Sequence, residues 1–491
     1  MTQLSFESPY PSARSPVCAA NVVATSQPLA TQAGLDALRR GGNAVDAALT
    51  AAITLTVVEP NNNGLGSDAF CILWDGARLV GLNASGRAPA AWTRERFGAR
   101  AAMPRLGWDS VTVPGAVSAW VALSERYGRL PFAQLFDAAI HYARDGFQVG
   151  PISAYHWGLA CRGRDRFPEF ARHFLPAPEP GARVRRPDLA RSLAAIAESG
   201  GEAFYRGELA ERIARAARDE GGALTLADLE AHRADWVEPI AQPYRDVVLH
   251  EIPPNGQGLA AQIALGILRH REPGTLDSAE CAHRELEAMK LAIRAAFDHL
   301  ADADAMRLPA DVLLEPRMLA RLAEGIGRNA AAIPPAALPV GPDTVYLASA
   351  DDRGMMVSFI QSNYEAFGSG IVIPGTGIAM QNRGAGFSLN PEHPNCVGPG
   401  KRPFHTIIPG FVTDAAESGA AGPAPGLSPR LAFGVMGGHM QHQGHVQMVR
   451  RIFDHRQNPQ TASDAPRWQV YPDFTVGLET GFPEAVAREL A

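Results

Sequence analysis

A layered mixture of helix and sheet, α/β or α+β, is what the sequence predicts, and three observations predict it. Short apolar strands recur in both halves of the chain, at AFCILW (69–74), YRDVVLHEIPP (244–254) and the paired runs within 344–362. Amphipathic helices flank them, at GLAAQIALGILRHRE (258–272) and CAHRELEAMKLAIRAAFDHLADADAM (281–306). The segment AVDAALTAAITLTVV (44–58) is apolar on nearly every helical face yet too short to span a bilayer, so it has to be buried between other layers. Central strands with helices outside them make a layered domain. Periodicity alone leaves a doubly wound sheet and a helix–sheet–sheet–helix sandwich both open.

At 491 residues, 46% hydrophobic and 20% charged, the chain is globular and long enough for one large core or two to three smaller ones. A net charge of −6, spread along the chain, offers no basic block for nucleic acid and no acidic tail. The start, MTQLSFESPYPSARSPVCAANVV, lacks a basic region followed by an apolar run, and no stretch approaches the roughly 20 apolar residues of a membrane span. The expectation is a cytoplasmic protein with neither a membrane nor a nucleic-acid partner. Five scattered cysteines (Cys18, Cys71, Cys161, Cys281, Cys396) have no metal-ligand spacing and no disulfide framework, and none sits in a recognisable nucleophile setting.

Taken in order, a first helix begins near Pro28 and stops at Arg39-Arg40-Gly41-Gly42. Asn43 caps the apolar helix, and Pro60 ends it. NNNGLGSDAF is a turn into two strands joined at Asp75-Gly76, and ASGRAPA is a loop carrying Arg87. A turn and two helices follow in 111–149. Gly221-Gly222 and a Thr225-to-Asp228 capping pattern separate two more. Pro334, Pro335, Pro339 and Pro342 make 332–343 a break in regular structure, and AAESGAAGPAPGLSP reads as a surface loop. After the break, TVYLASADDRGMMVSFIQSN reads as two strands joined by Asp351-Asp352-Arg353-Gly354. Thr344 opens the first of them, where a β-branched residue by itself is ordinary filler. Farther on, Gly437-Gly438 join the strand LAFGVM to the helix MQHQGHVQMVRRIF. Such a join leaves backbone N–H groups unpaired at a positive helix end, a place for an oxyanion.

The order of GGNAVDAA, VVEPNNNGLGSDAF, VTVPGAVSAW, YGRLPF, YARDGF, FYRGELAERIA, YRDVVLHEIPPNGQGL, TVYLASAD, KRPFHTIIP and MGGHMQ resembles the gamma-glutamyltransferase family over most of the chain. The resemblance implies an α+β fold, the four-layer αββα N-terminal-nucleophile sandwich. It implies a precursor that cleaves its own Asp343–Thr344 bond into a large subunit, 1–343, and a small subunit, 344–491, partners from one chain. Ala491 comes sooner than that family usually ends, so the closing strands of the small subunit are expected to be missing. Thr344 would be the nucleophile. Its hydroxyl holds its proton at neutral pH, but a freed α-amine with a pKa of about 8 can take it, so one residue supplies nucleophile and base. No cofactor or metal is needed. Homo-oligomers of processed heterodimers are compatible with this reading, and no motif specifies them.

The family pattern also assigns the neighbours. Ser362 keeps a hydroxyl beside the nucleophile, for positioning or proton handling; Asn363 follows it, and Tyr364 stands where an amide or acid usually touches substrate. Gly437 and Gly438 take the oxyanion, and His439 lies at the pocket edge. The substrate anchors depart from the pattern. The acid that would hold an α-ammonium group is Gly386, and the serine pair is His405-Thr406. The arginine position holds Ser85, with Arg87 two residues on. Arg87 and Arg383 are the candidate carboxylate anchors, and each has a structural ion-pair reading as well. A buried site without the acid rejects an α-ammonium group, so the expected substrate is a small amide bearing a carboxylate, glutaryl-like or oxamate-like. The alternatives are a true glutathione hydrolase or transferase, an unprocessed binding protein, and a metalloenzyme using His439, His442 and His445.

Overall fold

The computed structural model describes residues 9–11, 14–331, 333, 344–415 and 428–491. Two antiparallel sheets form its centre. One has six strands in the spatial order Val22–Thr25, Val345–Ala350, Met356–Ser362, Asp68–Trp74, Leu79–Ala84, Asp235–Val237. The other has four, in the order Pro429–Phe433, Gly410–Asp414, Val247–Glu251, Ile240–Tyr244. Every neighbouring pair in both is antiparallel, so the doubly wound parallel alternative falls.

Strand periodicity explains how the layers stack. In Asp68–Trp74, the residues Phe70, Ile72 and Trp74 point to one face and Ala69, Cys71 and Leu73 to the other. The first set meets Ile252, Ile407 and Phe411 beside the four-stranded sheet in one buried cluster. Ser358 Oγ donates across the same gap to the Phe433 carbonyl at 3.1 Å. The second set packs under helix Ala44–Val58. All 15 residues of that helix are buried, as its unbroken apolarity requires. Asn43 caps it, accepting from the Val45 and Asp46 amides, and Asp46 reciprocates to the Asn43 amide in a capping box worth about 1 kcal/mol. On the far side, helix Gly258–Leu268 is buried whole between the four-stranded sheet and helix Ala279–Phe297. The layers are therefore αββα.

Both sheets combine strands from before and after residue 344. Val345–Ala350 lies between Val22–Thr25 and Met356–Ser362, and Met356–Ser362 pairs on its other edge with Asp68–Trp74. Neither portion completes a sheet without the other.

The run 244–254 is not one strand. Tyr244 ends the strand Ile240–Tyr244, Arg245 turns with φ +54°, and Val247 opens the next. The polar pair Arg245-Asp246 is the turn, and the reading from Tyr244 onward missed the hairpin's first arm. Most of the proline-rich break, including Asp343, and 416–427 of the expected surface loop lie outside the described residues. Among the described residues, no helix is long and apolar enough to cross a membrane.

Candidate active site

Thr344 stands at the N-terminal end of an inner strand of the six-stranded sheet, 2% exposed, immediately before Val345–Ala350. The antiparallel register Gln361↔Val345 brings Ser362 alongside it. Thr344 Oγ1 donates to Ser362 Oγ at 3.3 Å, and Ser362 Oγ also accepts the Tyr364 amide at 2.8 Å. A second contact was not anticipated. Gln441 Nε2 reaches Thr344 Oγ1 at 3.4 Å, while Gln441 Oε1 takes the Ile408 amide. Gln441 lies one turn beyond Gly437-Gly438, and MGGHMQ carried it in plain view; nothing local distinguishes its amide from a buried helix residue.

Gly437 and Gly438 adopt φ +113° and +60°, conformations that L side chains resist. Among the described residues their amides donate to no backbone carbonyl, which leaves two N–H groups at the start of helix Met440–Val449. His439 follows. Its ring lies parallel to Phe404, at 5.7 Å and 9°, and edge-on to Phe297. The three histidines do not converge: His442 Nδ1 faces Gln257 and His445 Nδ1 faces Glu251. No group of three His, Cys, Asp or Glu side chains among the described residues is arranged to hold a metal.

The two candidate arginines part company. Arg87 is half-exposed and ion-paired, 3.4 Å from Asp302 and 3.9 Å from Asp235, with a further bond to the Gly400 carbonyl. These contacts match its structural reading, and none leads to Thr344. Arg383 is wholly buried. Its guanidinium lies 4.2 Å over the Tyr364 ring, and Nη1 donates to Thr406 Oγ1 at 2.8 Å. Its Nε and Nη2, and the Tyr364 hydroxyl, have no hydrogen-bond partner among the described residues. Burial lowers the Arg383 pKa to about 10, still above neutrality, so the group stays charged. Tyr364 itself is held at φ +77°, rare for an aromatic residue and costing about 1–3 kcal/mol. The Asn363 amide oxygen accepts from Ser67 at 2.8 Å and its backbone N–H donates to the Asn62 carbonyl, while its buried Nδ2 has no hydrogen-bond partner among the described residues.

Asp68 is the acid behind this cluster, and the sequence reading passed over it. It begins its strand and accepts the amides of Gly86 (3.1 Å) and Gly115 (3.0 Å) at Oδ1. A β-carbon on Gly115 would lie 1.5 Å from the Ala84 carbonyl, so the loops ASGRAP and VTVPGAV need those glycines to reach it. Asp68 Oδ2 lies 3.2 Å from His405 Nε2. Burial raises the Asp68 pKa to about 7 and pushes that of His405 well below its usual value, with Arg383 opposing the first and reinforcing the second. The unfolded chain ionises Asp68 near pH 4, while the folded chain resists until about 7. Stability therefore falls as pH rises through that window, by on the order of 4 kcal/mol from this group. Asp68→Asn removes the fall. Urea titrations at pH 5 and pH 8 should show the variant gaining on the wild type at the higher pH; equal differences at both would refute the assignment.

Beside Tyr364 and Gly386 opens a cavity of about 410 Å³, walled by Phe297, Leu300, Phe387 and Phe404 with the Arg105–Glu365 ion pair on its rim. A β-carbon at Gly386 would come within 2.7 Å of the Phe404 carbonyl, so an acid does not fit there without moving the 404–406 segment.

The family model described as gamma-glutamyltranspeptidase matches residues 30–491. The chain belongs to the gamma-glutamyltranspeptidase family. As a member it is an autoprocessing amidohydrolase of the N-terminal-nucleophile class, made as a precursor whose subunits come from one chain and acting on a small molecule. It is 38% identical to a glutathione hydrolase-like proenzyme of Bacillus subtilis and 37% identical to the oxamate amidohydrolase proenzyme of Klebsiella pneumoniae. Each match spans 90% of this chain and 83% of the relative. The structure superposes on a cephalosporin acylase from Bacillus halodurans with a TM-score of 0.92 and 46% identity, over 99% of this chain and 90% of that one. A gamma-glutamyltranspeptidase from Helicobacter pylori superposes with a TM-score of 0.61 over 65% of this chain.

Proposed function

We propose that this family member hydrolyses the amide of a small carboxylate-bearing acyl group that has no α-ammonium, with Thr344 as nucleophile. The observation that carries the reading is Arg383: a buried, charged guanidinium with two N–H edges that have no partner among the described residues, beside a tyrosine hydroxyl that has none there either. A buried donor set of that kind is costly unless a ligand takes it, and a carboxylate fits a planar fork bidentately. Thr406 fixes the fork through Nη1. Gly386 supplies no acid to an ammonium group.

In the proposed path, cleavage after Asp343 separates 1–343 from 344–491 and frees the Thr344 amine. The amine takes the hydroxyl proton as Oγ1 attacks the amide carbonyl. Ser362 and Gln441 hold Oγ1, and the Gly437 and Gly438 amides receive the developing oxyanion. The leaving amine departs with the proton, and water then releases the acid from the acyl-threonine.

The second reading, a glutathione hydrolase, draws on Glu365, whose carboxylate reaches the cavity wall but is engaged by Arg105 at 2.7 Å and by Asn382. Paired p-nitroanilides decide between them. Glutaryl-p-nitroanilide is expected to exceed its gamma-glutamyl counterpart in kcat/KM by at least about 100-fold, the cost of a buried unpaired ammonium. Equal turnover would give the site to the second reading.

A further inference from the structure

Gln257 has a part in this site that its position in the chain does not suggest. It lies in the NGQG turn before helix Gly258–Leu268, fully buried. Its Nε2 donates to two carbonyls, Thr406 O at 2.5 Å and Gly438 O at 2.8 Å. Both partners only accept, so the amide's orientation is unambiguous. Its Oε1 then faces His442 Nδ1 at 2.9 Å, which fixes the hydrogen of that imidazole on Nδ1. His442 Nε2 has no partner among the described residues, and burial holds the ring neutral. One amide group is therefore fully used. It spans from the segment that holds Arg383 through Thr406 to the turn that carries the oxyanion donors.

We infer that Gln257 is a positioning residue that fixes the Gly437-Gly438 turn against the Thr406 segment, with His442 setting its orientation. Gly438 sits at φ +60°; the Gly437 carbonyl, in the same peptide plane as the Gly438 N–H, accepts the Met440 amide at 3.0 Å, and the Gly438 carbonyl, in the next plane, accepts the Gln441 amide at 3.2 Å and the Gln257 side-chain amide. Tying down the Gly438 carbonyl limits rotation about Gly438 Cα and so restrains the preceding N–H groups of the turn before an oxyanion exists. The backbone of the same residue donates to the His405 carbonyl, so the 405–406 side is pinned twice and the turn becomes the part that moves when the side chain is lost. The inference rests on the reading of Gly437 and Gly438 as oxyanion donors.

The test uses Gln257→Met, which keeps volume and removes both donors, with His442→Phe and His442→Asn. The Asn side-chain nitrogen occupies nearly the place of His Nδ1 and can still donate to Gln257. Each purified protein is checked by intact mass for a small subunit beginning at Thr344. It is then assayed on glutaryl-p-nitroanilide and on p-nitrophenyl butyrate, a neutral ester that needs the oxyanion turn but no carboxylate anchor. Gln257→Met and His442→Phe should lose kcat roughly 10- to 100-fold on both substrates with KM within about threefold, as misplacement of a preorganised donor predicts. His442→Asn should recover most of that loss. Retention of kcat within threefold in processed Gln257→Met, even with a lowered Tm, overturns the inference. Should Gln257→Met fail to fold, equal loss in His442→Phe and His442→Asn overturns it, and rescue by Asn supports it. A wild type active on the ester but not the anilide refutes the carboxylate reading alone, and the ester then decides on Gln257. A wild type inert to both removes the oxyanion reading and Gln257's role with it.

Discussion

Thr344→Ala will leave the chain uncut and inactive. Wild-type protein should run on a denaturing gel as two fragments of roughly 36 and 16 kDa, by residue share of the 52.3 kDa chain, with Thr344 leading the smaller. The variant should give one band and lose amidase activity by roughly 10⁴-fold or more, since nucleophile and base reside in one residue. The fold should tolerate the change. Among the described residues Thr344 Oγ1 makes only long contacts, at 3.3 and 3.4 Å, and it sits before the strand rather than within its ladder. Ala fills less of the site by two atoms, a loss of about 1 kcal/mol. Normal folding with no cleavage is thus the expected pair of results. An intact single chain in the wild type as well would overturn the nucleophile assignment.

Arg383→Met should separate function from stability. Removing one partner of a buried charged recognition pair costs about 2–5 kcal/mol of binding, so kcat/KM on glutaryl-p-nitroanilide should fall roughly 30-fold to several thousandfold. A structural arginine would behave differently. Among the described residues Arg383 makes a single side-chain hydrogen bond, to Thr406 Oγ1, and it lies over Tyr364 with Nε and Nη2 unused. Replacing an under-bonded buried charge by an apolar chain of similar length is often neutral or stabilising. The thermal midpoint of Arg383→Met should therefore hold or rise while kcat/KM collapses. A collapse of both would mark the residue as structural. The control is Arg87→Met: half-exposed and paired to Asp302 and Asp235, it should change kcat/KM by less than about threefold.

The two arginines also show how far reading residues reaches. Each follows a glycine or asparagine in a loop, each is in reach of a catalytic motif along the chain, and no local pattern ranks them. Burial ranks them. Arg383 is enclosed because Tyr364, Thr406 and the Asp68–His405 pair arrive from three distant segments, whereas Arg87 meets Asp302 and Asp235 at the surface. Asp68 was passed over for the same reason. An aspartate after a Gly/Ser turn reads as a turn residue until Gly86, Gly115 and His405 close around it.

By itself the sequence determined what depends on neighbours along the chain. Asn43 and Asp46 specify a capped helix, the unbroken apolarity of 44–58 specifies its burial, and the Asp351–Gly354 turn specifies the strand pair that sets Ser362 beside Thr344. The Gly437-Gly438 join specifies two amides at a helix start that, among the described residues, donate to no backbone carbonyl. The motif order along the chain specified the family. Only the tertiary structure decided the interleaved strand order, the burial of Arg383 against the exposure of Arg87, and the hydrogen-bond partners of Asp68, Gln257 and Gln441. These depend on groups tens to hundreds of residues apart, and a buried polar side chain acquires its meaning from the partners that desolvate it, which no local pattern encodes.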